Sequence, residues 1–162
     1  MTIPYKEKVI PFLDSLSPEA RAIGAVNVIR VTHEKNKTIL KDFNSDVIGF
    51  TQSIEPMLEN YHKKAVVLGT GGASKAICYG LKNLGLETVC VSRYERPETI
   101  CYKDITPEVV KEYNVIVNCT PLGMFPKTEQ CPQLPYEALD EKNILYDLVY
   151  NPDVTLFMKK GD

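Results

Sequence analysis

The sequence has little excess charge and no long apolar run. Its 162 residues include 19 Lys and Arg against 21 Asp and Glu, so the formal net charge is −2. This balance gives no electrostatic reason to expect nucleic acid or an anionic membrane as a partner. No apolar stretch approaches the roughly 20 residues of a membrane-spanning helix, and no basic start leads into the apolar core of a signal peptide.

Metal ligands and paired cysteines are also scarce. Only two histidines occur, His33 and His62, both in polar surroundings, which argues against a zinc site. The five cysteines are an odd number, and no two have C-x-x-C spacing. Cys78, Cys90 and Cys119 lie in apolar segments, as small core residues do. We therefore predict no metal and reduced thiols, as in a cytoplasmic protein.

The first 61 residues show a mixed α/β pattern. A short helix is predicted after Ser17, with Pro18 at its first position and Gly24 at its end. The β-branched stretch "AVNVIRVTHEKNKTILKDF" predicts a hairpin that turns at "EKNK". Apolar residues at helical spacing over positions 47–61 then predict a helix that is interrupted at Pro56.

From Ala65 onward, strand patterns alternate with helix patterns. "KAVVLGTGGASKAICYGLKNLGLETVCVSR" predicts strand, glycine turn, helix and strand, and "VIVNCT" and "NILYDLVY" predict further buried strands. This alternation favours an α/β fold, a Rossmann-type doubly wound parallel sheet preceded by part of a smaller α/β domain. The polar stretch "ENYHKK" separates the two patterns, so we predict domains at residues 1–61 and 62–162.

A glycine-rich loop joins the first strand of this sheet to its helix. Glycines allow a sharp turn and a close approach to a pyrophosphate, and the helix N-terminus offers free N–H groups and partial positive charge. Ser74 replaces the last glycine of the G-x-G-x-x-G pattern, where a small residue suffices. The alternative is a plain tight turn, but the context favours a dinucleotide site. The predicted cofactor-binding residues of the loop are Gly69, Thr70, Gly71, Gly72 and Ala73.

The end of the second strand indicates which dinucleotide binds. An NAD enzyme usually has an acidic residue there for the ribose hydroxyls, but this strand ends "VCVSR". Ser92 and Arg93 suit a 2′-phosphate, and Lys75 in the first turn of the helix offers a second positive charge. The alternative is that both cations are surface charges. We predict NADP as the cofactor.

Six blocks of sequence resemble the shikimate dehydrogenase family. They are "TIPYK", "GAVNVI", "NSDVIGF", "GTGGASK", "NCTPLGM" and "YDLVYNP", in the family's order and rough spacing over essentially the whole chain. The resemblance implies an NADP-dependent enzyme of aromatic biosynthesis that interconverts 3-dehydroshikimate and shikimate. It also implies a substrate domain, a Rossmann-type domain and an active site in the cleft between them.

The resemblance assigns a catalytic pair. The lysine of its first block corresponds to Lys6, and the aspartate of its third block to Asp46, with Ser45 where Thr is usual. Reduction of a ketone builds negative charge on oxygen, which a positioned ammonium group can stabilise and protonate. Without the resemblance, Lys6 would be read as a surface charge and Asp46 as a helix N-cap.

The same correspondence assigns further contacts. Thr2 and Asn27 are expected to contact substrate hydroxyls, and Tyr150 to reach the substrate from the far side of the cleft. Leu148 and the backbone from Thr120 to Gly123 are expected to border the nicotinamide. The plain alternatives are that Asn27 only satisfies hydrogen-bonding groups at a strand end, that "PLGM" is an ordinary loop, and that Tyr150-Asn151-Pro152 is an ordinary turn.

In the family, an S-x-S motif precedes the first of these blocks and a glutamine follows the helix after the last one, and this sequence has neither of those two segments. We therefore expect an internal fragment that binds NADP weakly, turns over little substrate and self-associates, with a homodimer as one form. A quinate or other cyclic-polyol dehydrogenase is the nearest alternative. A non-catalytic NADP-binding module is another. A relative of methylene-tetrahydrofolate dehydrogenase is a third alternative, because that family shares the two-domain layout. The blocks "NSDVIGF", which contains Asp46, and "NCTPLGM" argue against it.

Overall fold

A computed structural model describes residues 5–34 and 37–161. The helices are α1 (Tyr5–Lys8), α2 (Pro18–Ile23), α3 (Ser45–Ile54), α4 (Gly72–Asn83), α5 (Pro107–Glu112) and α6 (Leu156–Lys159). The strands are β1 (Val28–Glu34), β2 (Lys37–Phe43), β3 (Lys64–Leu68), β4 (Glu87–Ser92), β5 (Thr99–Cys101), β6 (Val115–Asn118) and β7 (Ile144–Asp147). No helix in these ranges is long and apolar enough to cross a membrane.

The second half of the chain forms a five-stranded parallel sheet in the order β5-β4-β3-β6-β7. The chain moves outward from β3 through β4 to β5, then returns to the other side of β3 for β6 and β7. Ligands of open α/β sheets bind at the carboxyl ends of the strands where the order reverses. Here that point lies between β3 and β6.

Helices cover both faces of this sheet. On one face, Val67 and Val117 pack with Ile77 of α4 and Ile54 of α3. On the other, a second cluster joins Val66, Leu68 and Ile116 to Val110 of α5 and Phe157 of α6. The strands "KAVVL" and "VIVN" are therefore buried on both sides, as their continuous apolar runs require. The predicted doubly wound α/β fold is confirmed.

The predicted hairpin is confirmed as well. Strands β1 and β2 pair antiparallel, from Val28 opposite Phe43 to Glu34 opposite Lys37. Two carboxylates tie the hairpin to the preceding chain. Asp42 accepts hydrogen bonds from the backbone N–H and the hydroxyl of Ser17, and Asp14 accepts one from the Leu40 N–H at 2.8 Å. Ser17 also caps α2, accepting the Ala20 N–H at 3.1 Å, as predicted.

Helix α3 links the hairpin to the sheet. It ends at Ile54, and a short 3₁₀ turn, Glu55–Met57, follows. The predicted break near Pro56 is present, but the helix does not continue to residue 61 as the spacing predicted. Phe50 and Ile54 are buried against α4 in the core of the sheet region. A division between residues 61 and 62 would therefore separate α3 from the core on which it packs.

Candidate active site

The two predicted catalytic residues meet across the chain. Lys6 lies on α1 and Asp46 in the first turn of α3, and the Lys6 Nζ donates to the Asp46 Oδ2 at 2.5 Å. The Lys6 side chain is 15% exposed and that of Asp46 is 33% exposed. The Lys6 carbonyl accepts the Val26 N–H at 2.8 Å. This bond fixes α1 beside the start of the hairpin and so helps to hold the ammonium group in place.

Asp46 is not the N-cap of α3, so that plain alternative is wrong. Asn44 is the capping residue, and its side-chain oxygen accepts the backbone N–H groups of Asp46 and Val47 at 3.1 and 3.3 Å. Asparagine is a favoured cap because its short side chain reaches these first N–H groups. The carboxylate of Asp46 is therefore left to bind Lys6.

Asn27 is bound to the start of α3. It is 5% exposed, and its amide is held by Ser45 through two bonds. The Nδ2 donates to the Ser45 hydroxyl, and the Oδ1 accepts the Ser45 N–H, each at 3.0 Å. These bonds connect the start of β1 to the start of α3. Thr2, the other residue predicted to contact substrate hydroxyls, lies outside the described residues.

A cleft of about 660 Å³ opens in front of the Lys6–Asp46 pair. Its walls come from α1, α3, the start of α4 and the chain that follows β6 and β7. Among the predicted site residues, it is lined by Lys6, Asp46, Ala73, Thr120, Leu148 and Tyr150. Tyr150 is 83% exposed at this cleft. The cleft thus brings together residues that are far apart in sequence.

The glycine loop turns between β3 and α4. Gly69 has φ of +112°, and a Cβ there would lie 3.4 Å from the Cys119 carbonyl oxygen, so a side chain would strain the turn. No side chain caps α4 at Gly71, whose carbonyl accepts the Ser74 hydroxyl at 2.7 Å. An uncapped helix N-terminus beside a glycine turn offers N–H groups and partial positive charge to a phosphate.

A second cleft, of about 320 Å³, lies between the glycine loop and the end of β4. The predicted residues Gly69, Thr70, Gly71, Ser92 and Arg93 line it, and none of the described residues around it is acidic. Glu95, the nearest acid in sequence, is engaged elsewhere, because its carboxylate accepts the Lys103 Nζ at 2.8 Å. The cleft is thus suited to an anion.

The second cation of this cleft is Arg96, which sequence reasoning missed. Its Nη1 donates to the Thr70 hydroxyl at 3.4 Å, so it spans from the β4 end to the glycine loop. Lys75, for which the sequence predicts this role, does not line the cleft. Its Nζ instead donates to Glu7 on α1 at 2.9 Å. The only hint in the sequence was the position of Arg96 three residues after Arg93.

Sequence reasoning also missed a polar network at the ends of β6 and β7. The Asn118 Oδ1 accepts the N–H and the hydroxyl of Thr120 at 3.0 and 2.7 Å, and its Nδ2 donates to Asp147 at 2.9 Å. Asp147 also accepts the Val149 N–H at 3.0 Å and the Thr155 hydroxyl at 2.6 Å. Burial raises the pKa of Asp147, although the hydrogen bonds from Thr155, Val149 and Asn118 oppose this effect. The network fixes the two loops that border the first cleft.

The two clefts adjoin each other. Both are lined by Cys119, Thr120 and Pro121, the loop that leaves β6 at the reversal point of the sheet. An elongated ligand that lies across this loop would reach the Arg93 side at one end and the Lys6 side at the other. Within the described residues, no group of His, Cys, Asp and Glu side chains is placed to hold a metal ion.

Comparisons with known proteins show which proteins the chain is similar to. Residues 1–29 match the model of the shikimate dehydrogenase substrate binding domain. The NADP(+) shikimate dehydrogenase of Caldanaerobacter subterraneus subsp. tengcongensis is 38% identical over 98% of this chain, which spans 61% of that protein.

Solved structures give the same result. A shikimate 5-dehydrogenase from Thermus thermophilus, in complex with NADP(H) and shikimate, has a TM-score of 0.79 and 32% identity over 98% of this chain and 60% of its own. A quinate dehydrogenase from Corynebacterium glutamicum, in complex with NAD, has a TM-score of 0.81 and 26% identity over 99% of this chain and 61% of its own. The chain spans about three fifths of the length of these relatives and is similar to shikimate dehydrogenases over almost all of its own length.

Proposed function

We propose that the protein is an NADP-dependent oxidoreductase that interconverts 3-dehydroshikimate and shikimate. The observation that carries this proposal is the single cleft in which the Lys6–Asp46 pair faces the loops after β6 and β7. That cleft adjoins the anion-suited cleft at the glycine loop. Reversible ketone reduction requires a proton donor and a binding site for a nicotinamide dinucleotide. In our proposal, the Lys6–Asp46 pair is the first and the cleft at the glycine loop is the second.

In the proposed chemistry, Lys6 acts on the substrate oxygen. Bound NADPH supplies the hydride for reduction, and negative charge develops on the ketone oxygen as its carbon is reduced. The ammonium group of Lys6 stabilises that charge and donates a proton to the oxygen. Asp46 holds the ammonium group in position through its 2.5 Å ion pair. In the oxidation direction, the same amine accepts the hydroxyl proton.

The residues of the second cleft fit NADP better than NAD. In our proposal, Ser92, Arg93 and Arg96 hold the 2′-phosphate, and the uncapped start of α4 receives the pyrophosphate. Guanidinium groups bind phosphate through paired hydrogen bonds. An NAD ribose would offer these cations no phosphate, and the described lining of the cleft has no carboxylate to bind its free hydroxyl. Lys75 is engaged by Glu7 and is not needed at this end.

On the substrate side, the proposal keeps the contacts that the family resemblance implies. Asn27 and Thr2 would bind ring hydroxyls, and Tyr150 would close the open side of the cleft. Leu148 and Thr120 would border the nicotinamide. Ser45 binds both the Nδ2 and the Oδ1 of Asn27. The side-chain amide of Asn27 would therefore have a fixed orientation toward the substrate. The division into a substrate domain, residues 1–61, and a cofactor domain, residues 62–162, belongs to the same proposal.

Quinate is the second candidate substrate, favoured by the similarity to the quinate dehydrogenase of Corynebacterium glutamicum. The test is to follow the absorbance of the reduced nicotinamide, NADPH or NADH, with shikimate and with quinate, each with NADP and with NAD. We expect turnover with shikimate and NADP to exceed the other combinations. Faster turnover with quinate would move the assignment to the second candidate. Binding of NADP without turnover of either substrate would favour the non-catalytic module.

We also propose that the chain self-associates through the hairpin and resides in the cytoplasm. Val28, Val31 and Phe43 are 41, 53 and 47% exposed on β1 and β2, and uncovered apolar strands favour pairing with another chain. Light scattering at several protein concentrations checks the association. A mass that stays monomeric across the series would contradict it.

A further inference from the structure

Two cysteine thiols meet where α4 packs on β4. The Cys78 Sγ lies 3.2 Å from the Cys90 Sγ, and one thiol donates a hydrogen bond to the other. Both side chains are partly buried at the margin of the core cluster that α3 and α4 form with the sheet. A disulfide bond is about 2.05 Å long, so the two sulfurs need to approach by only about 1.2 Å to be joined.

The two thiols differ in acidity because of this contact. The hydrogen bond from Cys78 lowers the pKa of Cys90 to about 7, and the positive charge of Lys82 acts in the same direction against the effect of burial. The same hydrogen bond and burial raise the pKa of Cys78. Since the thiolate is the form that attacks an oxidant, Cys90 is the nucleophile of the pair and Cys78 the resolving thiol.

We propose that Cys78 and Cys90 form a reversible oxidation site, at which a small peroxide such as hydrogen peroxide joins the two sulfurs in a disulfide. The site is independent of the reaction proposed above. It lies on the helix that follows the glycine loop and on the strand that ends at Ser92. Oxidation would therefore link α4, which follows the glycine loop, covalently to β4, whose last residues line the second cleft.

The reaction takes two balanced steps. The Cys90 thiolate attacks one oxygen of hydrogen peroxide, the O–O bond breaks, and hydroxide leaves, which yields a sulfenic acid on Cys90. Cys78 then attacks the Cys90 Sγ, the S–O bond breaks, and the departing hydroxide takes the Cys78 proton as water. The two thiols lose two electrons in total, the peroxide is reduced to two waters, and an external thiol reverses the bond.

The other cysteines are placed differently. Cys131 packs against the core cluster on the opposite face of the sheet, and Cys101 is buried in β5 beside β4. Cys119 packs near the pair, but burial raises the pKa of its thiol, so little thiolate forms there. Cys119 is therefore the only near competitor as a partner for Cys90 within the described residues.

The test treats the reduced full chain with about one equivalent of hydrogen peroxide near neutral pH and maps its peptides without reduction. We expect the peptides of Cys78 and Cys90 to appear linked, with the mass lowered by a pair of hydrogen atoms, and dithiothreitol to reverse the link. A Cys90–Cys119 link, a chain that stays fully reduced, or irreversible oxidation of unlinked Cys90 would each overturn the proposal.

Two variants separate the roles of the thiols. In Cys78→Ser, the sulfenic acid on Cys90 has no resolving thiol, so a dimedone probe should label Cys90 severalfold more than in the parent chain. The matched control, Cys131→Ser, removes a thiol from the opposite face and should leave the Cys78–Cys90 link unchanged. Equal dimedone labelling of the parent chain and Cys78→Ser would contradict the proposed resolving role.

Discussion

The hairpin region, residues 5–43, and the sheet region, residues 64–161, bury their strands very differently. Every residue of β6 and all but the first of β3 are buried, whereas β1, as described, has no buried residue and β2 only Asp42. Both regions use short β-branched strands, so the difference comes from what covers them. The sheet region supplies its own core, and the hairpin region supplies Lys6 to the first cleft. Helix α3 joins them, with Asp46 at one end and Ile54 in the sheet core at the other.

The largest effect is expected on kcat, from substitution of Lys6 in the hairpin region. Lys6→Ala should lower kcat by about 10²–10⁴-fold, the usual contribution of a general acid, while the Kd for NADP changes little because Lys6 does not line the second cleft. Lys8→Ala, an exposed neighbour on the same helix, is the control and should keep near-normal kcat. Near-normal kcat for Lys6→Ala would exclude it as the proton donor.

The free energy of unfolding should depend on the buried side chains of the sheet region far more than on the exposed side chains of the hairpin. Ile116 is fully buried, so Ile116→Ala should lower the free energy of unfolding by about 2–5 kcal/mol. Val31 is 53% exposed, and Val31→Ala should change it by no more than about 0.5 kcal/mol. Urea denaturation of both variants measures the contrast. Similar losses for the two would mean that Val31 is covered in solution.

A smaller effect is expected where α3 packs on α4. A Cβ on Gly80 would lie 2.9 Å from the Thr51 methyl carbon, and the Thr51 hydroxyl is held by the Val47 carbonyl at 2.8 Å. Gly80→Ala should therefore cost about 1 kcal/mol, the overpacking penalty less the gain in helix propensity.

The matched background is Thr51→Ser, which removes that methyl group and keeps the hydroxyl. In this background Gly80→Ala should be neutral or stabilising, because only the propensity gain remains. The same loss of unfolding free energy in both backgrounds would show that the contact with Thr51 does not limit the packing of α3 on α4.

The smallest effect concerns pH at the end of β7. Burial raises the pKa of Asp147 in the folded protein. The Asp147 carboxyl group therefore stays protonated to a higher pH in the folded state than in the unfolded state. The contribution of Asp147 to stability is therefore greatest in acid and is lost as pH rises above the ordinary aspartate range. Asp147→Asn removes this contribution.

The contribution of Asp147 to stability is measured from the unfolding free energies of both proteins at about pH 4 and about pH 7. The stability of Asp147→Asn relative to the parent chain should rise between these two conditions. The exposed Asp153→Asn controls for the loss of one negative charge. A parent chain and an Asp147→Asn variant with the same pH dependence would contradict the burial argument.

Local features of the structure could be predicted from the sequence. The cap at Ser17, the hairpin pairing, the interruption at Pro56 and the glycine turn at Gly69 each depend on residues close together in the chain. The fold class followed from the alternation of strands and helices, because buried parallel strands leave a continuous apolar signature.

Partners across the fold could not be predicted in this way. Lys75 binds Glu7, which lies 68 positions earlier, and Arg96 reaches Thr70 only because β4 lies beside β3. The Asn118–Asp147 bond likewise requires that β6 and β7 be neighbours. The Lys6–Asp46 pair was named from the family resemblance, and spacing alone gives no reason to join residues 40 positions apart.

The central claim is that the second cleft binds NADP through its 2′-phosphate. Calorimetric titration of the chain with NADP and with NAD tests it directly, in the parent, in Arg93→Ala and in the charge control Arg21→Ala on α2. A charged hydrogen bond to phosphate is worth about 1.5–3 kcal/mol, so NADP should bind at least about tenfold more tightly than NAD. Arg93→Ala should lose most of that preference and Arg21→Ala should keep it. Equal affinities in the parent chain, or an Arg93→Ala variant with an unchanged preference for NADP, would contradict the account.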